Sequence, residues 1–417
     1  MGLFGRFFAY HQVIKVKATA NKGAELPCDE LLAPLSESIT IMGHSSKIAV
    51  AKQASTLVTA RLDYASFQPF MEPLLHGYFS LPNPQLGIDQ LLLAYVHPAD
   101  RPDRVRVRSD AEGYIYFPGI GYVRAPVGLQ DYFINATHPD DWRLSYKSLD
   151  LPAAIHRTLI FQRPVAELAG RLDLITEDVL LQECGEGSKI SVFAPASDIL
   201  VMIQLAMELI EQVSPALREA IDLVTRRFVF IKGNEIDSFT TNRLFGTVFL
   251  KASPNSSVPF FVEELSHQCG HLILSALTVR PSVFYNCSPL TPLEELGGQF
   301  TDYRTVETLF HAVFTECLMS ECLAASMSLN ALQTRDRQET LGRLAFVMAR
   351  LQSDLHTLVR AQTAYTEHAN RWIVIFLHHC RKMFRKWYSK TSLLKFRHQG
   401  YSFDRDTFFR ENCLGIV

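Results

Sequence analysis

The fold is organised around one stretch, Val262-Glu263-Glu264-Leu265-Ser266-His267-Gln268-Cys269-Gly270-His271-Leu272-Ile273-Leu274. His267 and His271 stand four residues apart, so on a helix both imidazoles project from one face, one turn apart. Two rings in that arrangement can bind one metal ion, and their spacing is the helical half of the HExxH zinc-site pattern. Gln268 occupies the position of the glutamate, so the carboxylate that acts as general base in a metalloprotease is missing.

Two interpretations of the histidine pair are open. A single HxxxH pair in a chain with 14 histidines is a weak signal, and one packed and one solvated histidine would account for it. The surroundings favour a metal site, because the other face of the predicted helix (residues 260–277) is strongly apolar. Cys269 and Gly270, between the histidines, are small and leave room for a ligand or a partner helix.

A third metal ligand is predicted about forty residues downstream. His311 lies there on a predicted helix, and Glu307 shares its helical face, so either side chain could complete the site; Glu316 is more remote on the helix. Three imidazoles, or two and a carboxylate, would leave metal positions open for a substrate or co-substrate. If three histidines bind one ion, their ring nitrogens should converge to within about 3–4 Å of one another.

Arg304 stands seven residues, about two helical turns, before His311. A guanidinium in this position could bind a carboxylate bidentately near the metal. A surface ion pair is the alternative role, and the sequence does not decide between the two.

Composition and charge exclude several classes of protein. The chain has 417 residues, of which 47% are hydrophobic and 20% charged, as in ordinary globular proteins. Its net charge of −2 provides no overall field for nucleic acid, and no nucleic-acid partner is expected. The apolar runs are too short to predict a transmembrane segment. Eight cysteines occur singly, with no CxxC pair, which predicts a reduced, cytoplasmic protein.

The spacing of apolar residues predicts an α+β fold. Strict alternation over residues 104–108, followed by 113–117 and 121–124, predicts a small antiparallel sheet. Residues 151–181 are predicted to form one or two short helices. Further strands are predicted at 190–193 and 228–231, and helices at 196–213, 215–226, 305–332 and 339–379.

Two regions are predicted from this change in character. We expect residues 1–190 to form a mixed α+β part that binds or positions the substrate. Residues 191–417 are expected to form a mainly helical metal-binding domain that carries the HxxxH helix.

A basic, aromatic stretch lies near the C-terminus, at residues 381–398. It contains Arg381-Lys382-Met383-Phe384-Arg385-Lys386-Trp387-Tyr388, then Lys390, Lys395, Arg397 and His398. Such a surface could bind an acidic partner: a leader peptide, a carrier protein or anionic lipid. A solvated end of an amphipathic helix is the alternative.

Residues 228–325 resemble the HExxH-type peptide-modifying proteins associated with ribosomally made, post-translationally modified peptides. The resemblance covers about a quarter of the chain. It rests on Ser238-Phe239-Thr240, Phe245-Gly246-Thr247-Val248-Phe249-Leu250, Glu264-Leu265-Ser266-His267-Gln268-Cys269-Gly270-His271, Tyr303-Arg304 and Leu309-Phe310-His311-Ala312.

Members of that family are understood as non-haem iron, 2-oxoglutarate-dependent peptide β-hydroxylases. The resemblance implies that His267, His271 and His311 hold Fe(II), with zinc as the alternative metal. It also implies that Arg304, with Tyr303 beside it, binds the 2-oxoglutarate co-substrate.

The departure from the family pattern is Gln268. A primary amide cannot take a proton at neutral pH, so Gln268 cannot activate a zinc-bound water, which counts against a protease. An oxygenase makes its oxidant from O2 and the oxoacid at the metal, so Gln268 could still orient a ligand there by hydrogen bonding. We therefore expect an Fe(II)/2-oxoglutarate-dependent oxygenase that hydroxylates an unactivated C–H of a peptide or carrier-bound amino acid in natural-product biosynthesis. A catalytically silent peptide-binding or scaffold protein on the same fold, and less readily a zinc hydrolase, are the alternatives.

Overall fold

The computed structural model describes residues 28–53, 56–137, 142–146, 149–152, 155–157, 159–162, 165–184, 190–233, 236–253, 255–296, 302–328 and 332–412. Over these residues the chain has the predicted mixed α+β fold, with its strands before residue 252 and mainly helices after it. The helices are α1 (Cys28–Leu32), α2 (Leu35–Gln53), α3 (Pro73–Ser80), α4 (Ile88–Leu92), α5 (Leu174–Cys184), α6 (Ser197–Val213), α7 (Pro215–Val224), α8 (Val258–Leu277), α9 (Pro281–Phe284), α10 (Val306–Ser326), α11 (Thr334–Arg360), α12 (Glu367–Thr391) and α13 (Arg405–Asn412). The strands are β1 (Val105–Arg108), β2 (Tyr114–Phe117), β3 (Gly121–Arg124), β4 (Asp131–Asn135), β5 (Arg143–Tyr146), β6 (Leu149–Pro152), β7 (Ile155–Arg157), β8 (Leu159–Gln162), β9 (Val165–Ala169), β10 (Ser191–Val192), β11 (Arg227–Lys232), β12 (Phe239–Thr240) and β13 (Thr247–Lys251).

The central sheet joins the two halves of the chain. Its strand order is β12-β13-β11-β9-β8, and β10 pairs with β11 outside this path. Strand β11 runs parallel to β9 and β13, with Phe228 opposite Leu168 and Val248. The sheet therefore takes strands from both sides of residue 190, and the division into 1–190 and 191–417 stays a prediction.

The two faces of this sheet belong to different hydrophobic cores. On β11, Phe228 and Phe230 are buried in a core shared with the long helices, whereas Val229 and Ile231 are buried in a core shared with the N-terminal sheets. Successive side chains of a strand point to opposite faces, so a strand that is apolar at every position is buried on both sides. The helices of the candidate site pack on the Phe228 face.

The helical prediction for residues 151–181 is wrong up to residue 169. That part of the chain contributes strands, and α5 begins only at Leu174. Strand β9 pairs in parallel with β11 and forms an antiparallel pair with β8. Its parallel partner lies about sixty residues downstream, and the burial that such pairing gives is not visible in local periodicity.

The alternating arginines around β1 form a solvated sheet face. Strand β1 is present as predicted, but it pairs with β4, whereas β2 pairs with β3 and β3 also pairs with β7. The exposed Arg106 lies 2.6 Å from Asp131 on β4, and Arg108 lies 3.7 Å from the same carboxylate. These arginines therefore have acidic partners on the neighbouring strand.

Helices α8, α10 and α11 pack against one another on the Phe228 face of the sheet. Gly270 allows the contact between α8 and α10, because a Cβ there would lie 3.1 Å from side-chain atoms of Thr315 and of Leu318. Arg343 of α11 reaches Glu263 of α8 at 2.9 Å. Over the described ranges, no helix combines the length and the apolarity needed to cross a membrane.

Candidate functional site

Helix α8 presents the histidine pair to a cavity. Its first turn is capped by the Ser257 hydroxyl, which accepts a hydrogen bond from the Phe260 amide, and Pro259 follows in the position that proline favours. The apolar side of the helix is buried in the core shared with the sheet. His267 and His271 lie on the remaining face, half-buried, and both line the cavity.

The two histidines have the spacing of metal ligands. Their Nε2 atoms are 3.1 Å apart. Two nitrogens bound to one zinc or iron ion at about 2.0–2.1 Å each would lie about 3 Å apart. Burial lowers the pKa of His271 to about 4, and burial, with His271 and Arg350 nearby, lowers the pKa of His267. Both rings are therefore neutral at physiological pH, which is the form that binds a metal.

His311 lies beside this pair but does not share its meeting point. Its Nδ1 is 3.3 Å from Nδ1 of His271, whereas His267 approaches His271 through Nε2. The three rings thus form a row, with neighbouring nitrogens within 3–4 Å but on opposite edges of His271. Among the described residues no three metal-binding side chains converge on one point. The pair fits a metal ion, and the third ligand stays a prediction.

The far nitrogen of His311 has an unusual environment. Its Nε2 is buried and has no hydrogen-bond partner, and the closest carboxylate oxygen recorded for it, on Glu307, is 3.9 Å away. A buried imidazole nitrogen without a partner is costly unless a ligand satisfies it. Both candidate third ligands, His311 and Glu307, border the cavity, and the unsatisfied Nε2 of His311 is free to bind a ligand.

Gln268 is held in place by the loop before β12. Its amide Nε2 donates to the Ser238 carbonyl at 3.1 Å and lies 3.4 Å from Nδ1 of His267. Only 3% of the side chain is exposed. Gln268 therefore positions His267 and ties α8 to the loop before β12, in agreement with its chemistry as an amide without basicity.

Replacing Gln268 by glutamate should not create a peptidase and should destabilise the protein. A carboxylate would face the Ser238 carbonyl oxygen, acceptor against acceptor, at a cost of about 1–3 kcal/mol. Because protonation of the new carboxyl relieves this clash, the loss should be larger at pH 8 than at pH 5. Urea unfolding at both pH values measures it, with Gln362→Glu as an exposed control. Peptide cleavage by the variant would restore the hydrolase alternative.

Arg304 has the ion-pair role that the sequence left open. Its Nε and Nη2 donate to Asp302 at 3.0 and 2.6 Å, and its Nη1 and Nη2 donate to Asp354 at 2.7 and 2.8 Å. Both carboxylate-binding edges of the guanidinium are thus occupied. The neighbouring Tyr303 is 88% exposed and is not among the residues that line the cavity.

The cavity has a volume of about 1200 Å³. It lies between α8, α10 and α11 and is closed on other sides by β12, β13 and residues 401–406. Typical small-molecule sites occupy about 300–1,000 Å³, so this one has room for a co-substrate together with a segment of peptide.

Several charged residues of the cavity escaped prediction from the sequence. Arg343 and Arg350 stand seven residues apart on α11, a spacing that places them on one helical face. Glu316 of α10 is 1% exposed and neither of its oxygens is hydrogen-bonded. Glu264 of α8 accepts a hydrogen bond from Ser238, and burial raises its pKa to about 7. Only the seven-residue spacing of the arginines was visible in the sequence.

Comparison of the chain with models of known families and with curated proteins found no match. The resemblance to HExxH-type peptide-modifying proteins therefore rests on the residues quoted for it.

Proposed function

We propose that this protein is a metal-dependent oxygenase of the Fe(II)/2-oxoglutarate class that hydroxylates an unactivated C–H of a peptide or of a carrier-bound amino acid. One observation carries the proposal: the Nε2 atoms of His267 and His271 lie 3.1 Å apart at the wall of a large cavity. Both rings are kept neutral, and the position of a hydrolytic base is occupied by an amide. The site thus supports metal binding, while the motif position from which a carboxylate would activate water holds an amide.

The protein would contribute ligation and placement. His267 and His271 would hold the ion, with His311 or Glu307 as the third ligand. Iron with 2-oxoglutarate supplies, when bound, an oxidant able to attack an unactivated C–H bond. Gln268 fixes the ring of His267 through its contact at Nδ1, and such outer contacts set the orientation of a ligating imidazole.

A peptide or a carrier-bound amino acid is the proposed substrate because of the size of the cavity and its polar lining. The basic stretch 381–398 is a candidate docking surface for an acidic partner. In the structure Met383 and Trp387 are buried, while Arg381, Arg385 and Lys386 are exposed on the outer side of α12. This amphipathic arrangement fits both a docking surface and a solvated helix end, and salt-sensitive binding of an acidic peptide would separate them.

A cytoplasmic location belongs to the same proposal. The cysteines whose pairing the structure describes are free thiols: Cys28, Cys269, Cys287, Cys317, Cys322 and Cys380. Free thiols in this number are characteristic of a reducing compartment.

A catalytically silent peptide-binding protein on the same fold is the second candidate. The row of three rings favours it, because a third ligand does not meet the first two in this structure. A zinc hydrolase has less support, since Gln268 stands where its base would be.

The test is metal content followed by turnover. Protein purified without chelator is analysed for transition metals, then loaded anaerobically with Fe(II) and assayed for succinate from 2-oxoglutarate and O2. We expect bound metal and slow succinate formation even without a peptide, both lost in His267→Ala. Wild-type protein that binds no metal would overturn the proposal. Protein that binds zinc or iron but never forms succinate would favour the silent or hydrolytic alternatives.

A further inference from the structure

The arginines that border the cavity differ in how completely they are neutralised. Arg304 is held by Asp302 and Asp354. Arg343 lies between Glu263 at 2.9 Å and Glu339 at 2.8 Å, and it is 4% exposed. Neither guanidinium has an edge left for an incoming carboxylate.

Arg405 is also committed. It donates to the Asn255 carbonyl at 2.9 Å and lies 3.6 Å from Glu339. These contacts hold the start of α13 against the cavity, so the guanidinium of Arg405 is already occupied.

Arg350 is different. Its Nε lies 3.3 Å from Glu316, without a hydrogen bond of good geometry, and its Nη2 lies 3.4 Å from the Tyr401 hydroxyl. The guanidinium also sits 4.8 Å from the centre of the Tyr401 ring, and the side chain is 26% exposed. The Nη edge of this guanidinium is therefore not occupied by a carboxylate.

The carboxyl of Glu316 neutralises Arg350 poorly. Glu316 is fully buried, with Arg350 Nε 3.3 Å from one of its oxygens, and burial raises its pKa well above the usual range. Burial disfavours the charged form of this carboxyl, so Glu316 offsets the charge of Arg350 less than an exposed carboxylate would. Arg350 and His267 line the same cavity.

We propose that Arg350, assisted by the Tyr401 hydroxyl, binds the distal carboxylate of the dicarboxylic co-substrate whose other end meets the His267–His271 pair. This inference rests on the proposed function and moves the co-substrate position from Arg304, where it was expected, to α11. A guanidinium binds a carboxylate through two parallel hydrogen bonds, which gives orientation as well as affinity. Tyr401 is 81% exposed and can move to admit the ligand.

The experiment measures binding of 2-oxoglutarate by calorimetry under anaerobic conditions, to protein loaded with Mn(II). Arg350→Gln should weaken binding about 10- to 100-fold, as expected for loss of hydrogen bonds to a charged group. The affinity of Arg350→Lys for 2-oxoglutarate should lie between those of the wild type and Arg350→Gln, because lysine keeps the charge but cannot form the two parallel hydrogen bonds. Tyr401→Phe should weaken binding by less than about 10-fold.

Pyruvate and a second arginine serve as controls. Pyruvate lacks the distal carboxylate, so its affinity should be the same in wild type and Arg350→Gln. Arg335→Gln removes a charge from the same cavity, where Arg335 packs on Phe409, and should leave 2-oxoglutarate binding unchanged. Bound Mn(II) and the melting temperature of each variant show that the fold is intact.

Failure of the inference and failure of the proposed function look different. Wild-type affinity for 2-oxoglutarate in Arg350→Gln, with Mn(II) still bound, would overturn the role of Arg350 and leave the oxygenase standing. If the wild-type protein binds no metal, the proposal of an oxygenase is wrong. In that case, succinate is titrated into the metal-free protein. Binding of succinate that is lost in Arg350→Gln would then support a carboxylate position at Arg350, and absence of binding would overturn it.

Discussion

Alanine in place of His271 is expected to weaken binding of a divalent transition metal at least about 100-fold. Mutation of groups that merely orient a metal ligand costs about 10- to 100-fold, so removal of a ligand itself should cost no less. His271 is central because its two ring nitrogens face His267 at 3.1 Å and His311 at 3.3 Å. Competition between the protein and a coloured chelator for Zn(II) or Fe(II) measures the loss.

Comparison of three variants then identifies the third ligand. His267→Ala should match His271→Ala, since the pair meets through its Nε2 atoms. If His311 turns to join them, His311→Ala should cost a comparable amount, whereas an unchanged affinity would leave Glu307 to be tested in the same way. His271→Gln fills the space of the ring and guards against a collapse of the cavity. His378→Ala, at an exposed position of α12, should bind metal like the wild type.

The structural features that could be predicted are those set by residues close together in the sequence. Helix α8 runs from Val258 to Leu277, against an expectation of 260–277, and its histidines share a face as their spacing demands. Gly270 was expected to leave room for a ligand or a partner helix, and it is a helix, α10, that fills this room. These features depend on one turn of helix or on a local apolar pattern.

Features that depend on distant partners could not be predicted. The ion pair of Arg304 with Asp354, fifty residues away, could not be predicted from the sequence around Arg304. Arg350 gains its position only when α11 packs beside α8. Strands β8 and β9 stand where a helix was predicted, because β9 pairs with β11 across the sheet. Each of these outcomes is decided by contacts that local patterns do not contain, and long-range pairing overrides local preference.

Replacing Arg227 by methionine is expected to destabilise the fold by about 3–5 kcal/mol, the range for breaking a buried ion pair from one side. Arg227 opens β11 and is 2% exposed; its Nη1 donates to Asp173 at 2.7 Å and to Thr176 at 3.2 Å. Asp173 accepts from the Thr176 amide and hydroxyl, which fixes the first turn of α5 against the sheet. Methionine would leave this carboxylate buried without its counter-charge, and urea unfolding at pH 7 measures the cost.

The exposed Arg106, 2.6 Å from Asp131, provides the matched control. Arg106→Met removes a similar ion pair in water and should cost less than about 1 kcal/mol. A comparable loss of stability in both variants would mean that burial does not explain the contribution of the Arg227–Asp173 pair.

The double variant Arg227→Met with Asp173→Asn separates the pair from the burial of its charges. Nε and Nη2 of Arg227 have no hydrogen-bond partner, so the pair does not repay all of its desolvation, and removing both charges should recover much of the lost stability. Recovery would show that the pair serves to place α5 and β11 more than to stabilise them. Because β11 also carries Phe228 on the face against which α8 packs, metal affinity in the folded double variant reports whether that placement extends to His267 and His271. An unchanged affinity would confine the role of Arg227 to the N-terminal side of the sheet.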